Sequence, residues 1–234
     1  MADDTIPRRK FLLGAGTAVA AGLAPDAEAQ TPVPAAAPQP ANEPVTYLTL
    51  SALEAEFVSA VADTMIPADA LSPSGTDCGV VVFIDRQLAG AFGGGAKLYR
   101  SGPFRKGKPE QGYQLALTPR EFVGAGIAAT NAWTRKLHGK DFHRLSSKER
   151  EDALKALEAS KAELGDFDGR QFFDALLNLV MEGFFADPIY GGNRDKVAWR
   201  MIGYPGLPAL YANSIDEYRH KRYLVEPRSI ADFS

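Results

Sequence analysis

The chain has 234 residues, with 26 basic and 29 acidic side chains for a formal net charge of −3, and a single cysteine. That length supports one domain of ordinary size with a real core. A near-neutral, slightly acidic balance gives no electrostatic reason to bind nucleic acid, and one cysteine excludes an internal disulfide framework and an iron–sulfur cluster held by this chain alone.

The first thirty residues have three regions in order. Arg8, Arg9 and Lys10 form a basic start, an uncharged run rich in Ala, Gly and Leu extends from Phe11 to Ala24, and Ala27-Glu28-Ala29 is an A-x-A cleavage pattern. The run is shorter than the roughly 20 apolar residues a bilayer span requires. Arg8-Arg9, followed by Phe11 and Leu12, fits a twin-arginine signal. The reading predicts cleavage after Ala29 and a mature chain that works in the periplasm. Residues 1–29 hold three basic and four acidic side chains, so the mature chain keeps 23 against 25, net −2. Twin-arginine cargo crosses folded, so the chain either carries a cofactor or crosses with a partner that does.

Residues 30–48 form an Ala/Pro-rich linker (Pro32, Pro34, Pro38, Pro40, Pro44), a semi-rigid tether. The domain is expected over 49–234 and opens with a helix. Thr49 and Ser51 are candidate N-caps, and Ser51 with Glu54 makes a capping box. Leu53, Phe57, Val61 and Met65 fall on one helical face before Pro67 stops it. Ala68 to Cys78 reads as loop. Gly79 to Ala91 reads as a helix facing inward through Val81, Ile84 and Leu88. Phe92 to Gln114 is a long glycine-rich loop, of a length that is often functional.

Thr118-Pro119-Arg120-Glu121 starts the next helix, which should run to about Leu137 and end at Gly139. Ser146 with Glu149 opens another, expected to reach Leu164 with Leu154 and Leu157 inward. Phe167 to Phe185 is read as a helix, Asp187 to Asn193 as a turn, and Asp195 to Ile202 as a short helix closed by Gly203. The rest is irregular. The fold class is mainly α: a single compact helical domain with long Gly/Pro-rich loops.

Catalytic motifs fail on context. Gly90 to Lys97 lacks the Lys-Ser/Thr that a P-loop needs directly after its last glycine. Gly124, Gly126 and Ala129 fit G-x-G-x-x-A but sit inside a helix rather than after a strand, so they read as a close-packing surface. His138 and His143 straddle Gly139, off the i, i+4 spacing of a zinc pair. Asp63, Asp69, Asp166, Asp168 and Asp187 show no acid/base spacing, and Asp166 and Asp168 suit a helix start. There is no nucleophile elbow. No catalytic, cofactor-binding or metal-binding residue is assigned. Cys78 is expected to be a small buried residue, the alternative being an intermolecular disulfide.

The stretch from Phe184 to Gly206 is least explained by packing. Two Gly/Pro turns bracket a short helix, with Tyr190, Trp199 and Tyr204, side chains favoured as interface anchors. The competing reading is two structural turns around a core Trp199, with Asn193 as a helix cap. Asp187-Pro188-Ile189-Tyr190-Gly191-Gly192-Asn193 and Ala198-Trp199-Arg200-Met201-Ile202-Gly203-Tyr204-Pro205-Gly206 resemble the signature of the gluconate 2-dehydrogenase subunit 3 family. Weaker matches precede them: Asp63-Thr64-Met65-Ile66-Pro67, Phe83-Ile84-Asp85 and Phe167-Asp168-Gly169.

The resemblance implies a non-catalytic small subunit without a cofactor of its own. Its implied partners are an FAD-dependent dehydrogenase large subunit, often a multihaem cytochrome c subunit, and the twin-arginine (Tat) translocon. It makes Asp187, Pro188, Tyr190, Gly191, Gly192, Asn193, Trp199, Gly203, Tyr204, Pro205 and Gly206 the candidate interface or family motif. Two other expectations compete with it. One is a stand-alone periplasmic enzyme with a site around Asp187, Tyr190 and Asn193. The other is a small-molecule binding module using the Phe92 to Gln114 loop.

Overall fold

A computed structural model describes residues 46–105, 107, 108, 111–208 and 210–233. The twin-arginine pair, the cleavage site and nearly all of the linker lie outside the described residues. Among the described residues six α-helices account for the architecture and no strand occurs: α1 (Ala52–Met65), α2 (Val80–Ala89), α3 (Pro119–His138), α4 (Ser147–Glu158), α5 (Gly169–Phe185) and α6 (Val197–Ile202). The chain is mainly α.

Three helix starts follow from local chemistry. Ser51, Thr118 and Ser146 each accept the N–H three residues on, and Glu54, Glu121 and Glu149 reach back to the cap's own N–H. These reciprocal pairs satisfy donors that a helix N-terminus otherwise leaves unpaired. Thr49 is not a cap. Its hydroxyl and carbonyl instead accept from Arg120, whose guanidinium also grips Glu54 through two 2.8 Å contacts. This bidentate pair ties the start of α1 to the start of α3.

The stripe of α5 fits its central place. Phe172, Leu176, Leu179, Val180, Gly183 and Phe184 are buried, and α5 touches each of the other five helices. Phe172 meets Phe57 and Phe122 at 6.3 Å between ring centres, and Phe57 meets Phe142 at 4.8 Å. Close approach depends on missing side chains. A Cβ on Gly126 would lie 2.2 Å from the Phe172 ring, and one on Gly183 would lie 2.9 Å from Phe83. The G-x-G-x-x-A spacing in α3 is thus a packing surface.

Before α1, Tyr47 already packs on the core. Asp85, buried on α2, accepts from the N–H groups of Leu48, Thr49 and Leu50 at 2.7, 3.0 and 2.9 Å. Three backbone donors thus satisfy the oxygens of a carboxyl group buried inside the domain.

Four boundaries or faces differ from expectation. The helix expected to reach Leu164 stops at Glu158, because Ser160 takes a left-handed backbone, φ 56°. The helix expected from Phe167 starts at Gly169, where Asp168 caps by accepting from the Gln171 N–H; Phe167 instead packs its ring on Phe122 at 5.1 Å. The helix expected from Asp195 starts at Val197, because Asp195 and Lys196 both have positive φ. Leu53, expected on the inward face of α1, is exposed.

Candidate functional site

The Phe184 to Gly206 stretch leaves α5, makes two turns and enters α6. Asp187 caps the 3-10 turn Pro188–Tyr190: Oδ1 accepts from the Ile189 N–H at 3.0 Å, and Oδ2 accepts from the Ile230 N–H at 2.9 Å. Gly191 closes that turn with φ 102°, which L side chains rarely adopt. Gly192 lies against α5 so closely that a Cβ would sit 2.0 Å from the Gly183 carbonyl oxygen.

Asn193 is fully buried with a left-handed backbone. Its Nδ2 donates to the Ala186 carbonyl and its Oδ1 accepts from the Ala198 N–H, both at 2.9 Å. One side-chain amide therefore pairs the end of α5 with the first turn of α6. Asparagine suits the site because its short polar chain tolerates this backbone and offers both donor and acceptor.

Trp199 is 6 % exposed and packs edge-on against Tyr204 at 5.1 Å, while its indole N–H donates to the Phe185 carbonyl at 2.8 Å. The Trp199 ring is enclosed and its polar atom already paired, the arrangement that the alternative of a core tryptophan between two structural turns describes. Gly203, with φ 70°, ends α6, and the following N–H of Tyr204 returns to the Trp199 carbonyl. Gly206 pairs with Arg228 so tightly that a Cβ would meet the Arg228 carbonyl oxygen at 2.1 Å. Tyr190, at 50 % exposure, and the edge of Tyr204 are the ring surfaces of this motif that reach solvent.

The motif also grips residues far along the chain, and spacing gave no sign of this. Besides Asp187 with Ile230, Lys196 donates to the Pro227 carbonyl at 2.9 Å and to Asp232 at 2.6 Å, and Arg200 donates to Glu226 at 2.9 Å. Pro205 accepts from the Arg228 N–H. The Lys196 ammonium, and then the Ser229 N–H, hold the Asp232 carboxyl down at about 2. The Arg200 guanidinium lowers Glu226 as well.

An enzyme site around Asp187, Tyr190 and Asn193 finds little free chemistry here. Both Asp187 oxygens and both Asn193 amide atoms are spent on backbone groups. Among the described residues no cluster of His, Cys, Asp and Glu could hold a metal ion. His138 faces Glu149 and His143 faces Glu56. Cys78 is buried, with its thiol pushed up by that burial and by nearby Asp77; an intermolecular disulfide would have to expose it. No described helix is long and apolar enough to cross a membrane.

The Phe92 to Gln114 loop walls a groove of about 500 Å³ against α3 and α5. Its floor includes Tyr113 stacked on Phe122 at 4.0 Å, and the buried Tyr113 hydroxyl has no hydrogen-bond partner among the described residues. Asp174 and Glu182 stand on the α5 side.

Compared with known proteins, the chain matches no curated protein and no solved structure. It does match the family described as gluconate 2-dehydrogenase subunit 3, over residues 52–206, from the first residue of α1 to the glycine that pairs with Arg228. With most of its length covered, the chain belongs to the gluconate 2-dehydrogenase subunit 3 family.

Proposed function

We propose that this subunit binds a folded, FAD-containing sugar or sugar-acid dehydrogenase subunit and carries it through the Tat translocon to the periplasm, where it keeps the flavoprotein assembled. Family membership makes the chain an accessory subunit that works with other dehydrogenase subunits. The observation that carries the finer reading is Arg8-Arg9 with Phe11 and Leu12 ahead of a domain whose motif residues are committed to holding the fold. A multihaem cytochrome c subunit is the further member that the family resemblance implies.

The test is to express the chain with its native signal and a C-terminal tag, then purify it from the periplasm. A stoichiometric FAD-containing partner is expected, and Arg8→Lys with Arg9→Lys should leave both proteins in the cytoplasm. A colourless chain without a partner, or a flavoprotein exported normally in the arginine variant, would sink the proposal.

A second reading, a small-molecule binding module, is favoured by the groove beneath the Phe92 to Gln114 loop. A ligand seated there should raise the melting temperature of the isolated chain. Stabilisation by the flavoprotein alone returns the choice to the first reading.

A further inference from the structure

The loop between α2 and α3 concentrates positive charge that the rest of the chain lacks. Of the 23 basic and 25 acidic side chains in residues 30–234, five basic and no acidic ones fall in residues 92–108. The remainder carries 18 against 25, net −7. Lys97, Arg100, Arg105 and Lys108 are all exposed, and none of them forms an ion pair among the described residues. Arg120, Arg135, Arg170, Lys196 and Arg200, by contrast, each hold a carboxylate. Arg100 feels the field of Glu121 without bonding to it.

The base of the loop is fixed to the helices on either side. Gly93 donates to the Gln87 carbonyl, Ala96 donates to the Ala91 carbonyl, and Arg120 at the start of α3 donates to the Gly93 carbonyl. Beyond that base, Tyr99 stands 81 % exposed between Leu98 and Arg100, and Phe104, 38 % exposed, precedes Arg105. Aromatic rings and unpaired cations therefore share one exposed run.

Uncompensated positive charge calls for an anionic partner. Pairing this loop with the same loop of a second copy would set like charges together. A single-stranded nucleic acid follows a basic groove lined with stacking rings, and the groove beside this loop presents Asp174 and Glu182 instead. A specific protein interface favours arginine, whose planar fork fixes geometry, and is depleted in lysine; three of the five cations here are Lys97, Lys106 and Lys108. An anionic bilayer asks only for point charges near its phosphates and for rings that settle at the headgroup level. This loop supplies both.

We infer that Lys97, Arg100, Arg105 and Lys108, with Tyr99 and Phe104 between them, bind the surface of an anionic phospholipid bilayer. None of these six residues lines the groove beneath the loop. The contact goes beyond the carrier function, because it needs no other subunit.

The test is sedimentation of the full chain with vesicles of phosphatidylglycerol and phosphatidylethanolamine, compared with vesicles of phosphatidylcholine alone. Lys97→Gln with Arg105→Gln removes two exposed cations of the loop, and Lys148→Gln with Lys155→Gln removes the same charge from exposed positions on α4. Each cation near an anionic bilayer strengthens binding roughly fivefold. The loop variant should therefore bind the phosphatidylglycerol vesicles about 25-fold more weakly at an unchanged melting temperature, while the α4 variant binds like wild type. Phosphatidylcholine should bind far less, and added salt should weaken the binding. Tyr99→Trp reports the site directly: its emission should shift to the blue on phosphatidylglycerol vesicles and be quenched by brominated lipid, over the background of Trp133 and Trp199.

Wild-type vesicle affinity in the loop variant, an equal loss in the α4 variant, or no quenching of the Tyr99→Trp signal overturns the assignment and leaves the carrier function standing. Equal binding to phosphatidylcholine does the same. Loss of flavoprotein affinity in the loop variant, with vesicle binding intact, overturns it in favour of an acidic protein face. Binding of a single-stranded oligonucleotide without binding of vesicles overturns it in favour of nucleic acid. A wild-type dimer that the loop variant abolishes, again with vesicle binding intact, overturns it in favour of a second copy.

Discussion

Asn193 Oδ1 accepts the Ala198 N–H at 2.9 Å from a position wholly inside the protein, and the other end of the same amide holds Ala186. Replacing Asn193 with Ala leaves a buried donor and a buried acceptor without partners, at about 1–3 kcal/mol each. It also leaves on a left-handed backbone a residue without the short polar side chain that makes this conformation tolerable for asparagine. The expected loss is about 3 kcal/mol in total. Urea unfolding should show a lower midpoint at unchanged slope. A midpoint within error of wild type would mean that water replaces both bonds.

Trp199 and Tyr190 should separate cleanly. Trp199→Phe loses the hydrogen bond to the Phe185 carbonyl and part of the ring volume, at about 2 kcal/mol. Tyr190→Ala removes an exposed ring and should stay within about 0.5 kcal/mol. Thermal melts of the two variants decide the matter. Equal destabilisation would contradict the assignment of Trp199 to the core and Tyr190 to the surface.

Gly126→Ala forces a methyl into the ring of Phe172 and should cost about 1–3 kcal/mol or more by overpacking. Gly139 ends α3 with φ 70° and open space around its Cα. There, Gly139→Ala pays the backbone penalty alone, about 1 kcal/mol. Chemical denaturation should rank Gly126→Ala as the worse of the two, and the reverse order would disprove the close contact of α3 with α5.

Asp85→Ala removes the acceptor for three consecutive N–H groups and should cost about 3 kcal/mol. The first sign should be fast hydrogen exchange at Thr49 and Leu50. If those amides remain protected, the segment before α1 is held by packing of Tyr47 and Leu50 and by the Arg120 bonds to Thr49.

Asp232 sets an acid response. Its carboxyl is held at about 2, below its ordinary 3.8, so its bond to Lys196 contributes fully above about pH 4 and is lost as pH falls through about 2. Carboxyl NMR should place the Asp232 midpoint in that low range. Lys196→Met removes the principal cause, and the midpoint should then move up toward 3.8. A midpoint unchanged by the substitution would refute the Lys196 contact.

What the sequence determined by itself is local. Three Ser/Thr-x-x-Glu boxes announced three helix starts, because cap and backbone donor lie within one turn of each other. Periodicity placed Val81, Ile84 and Leu88 inward, and the paired turns around Trp199 identified the family. Tertiary structure decided the rest. Ser160, Asp195 and Lys196 take left-handed backbones without being glycine, so no composition signal marked where α4 ends or α6 begins. Trp199 and Tyr190 are both aromatic and lie nine residues apart, but only packing against the Phe185 carbonyl sends one inward. The hold of Asp187, Lys196 and Arg200 on residues 226–232 joins positions 26 to 43 residues apart. Hydrogen bonds of that reach exist only once the helices have brought both segments together, and they hold residues 226–232 against the motif.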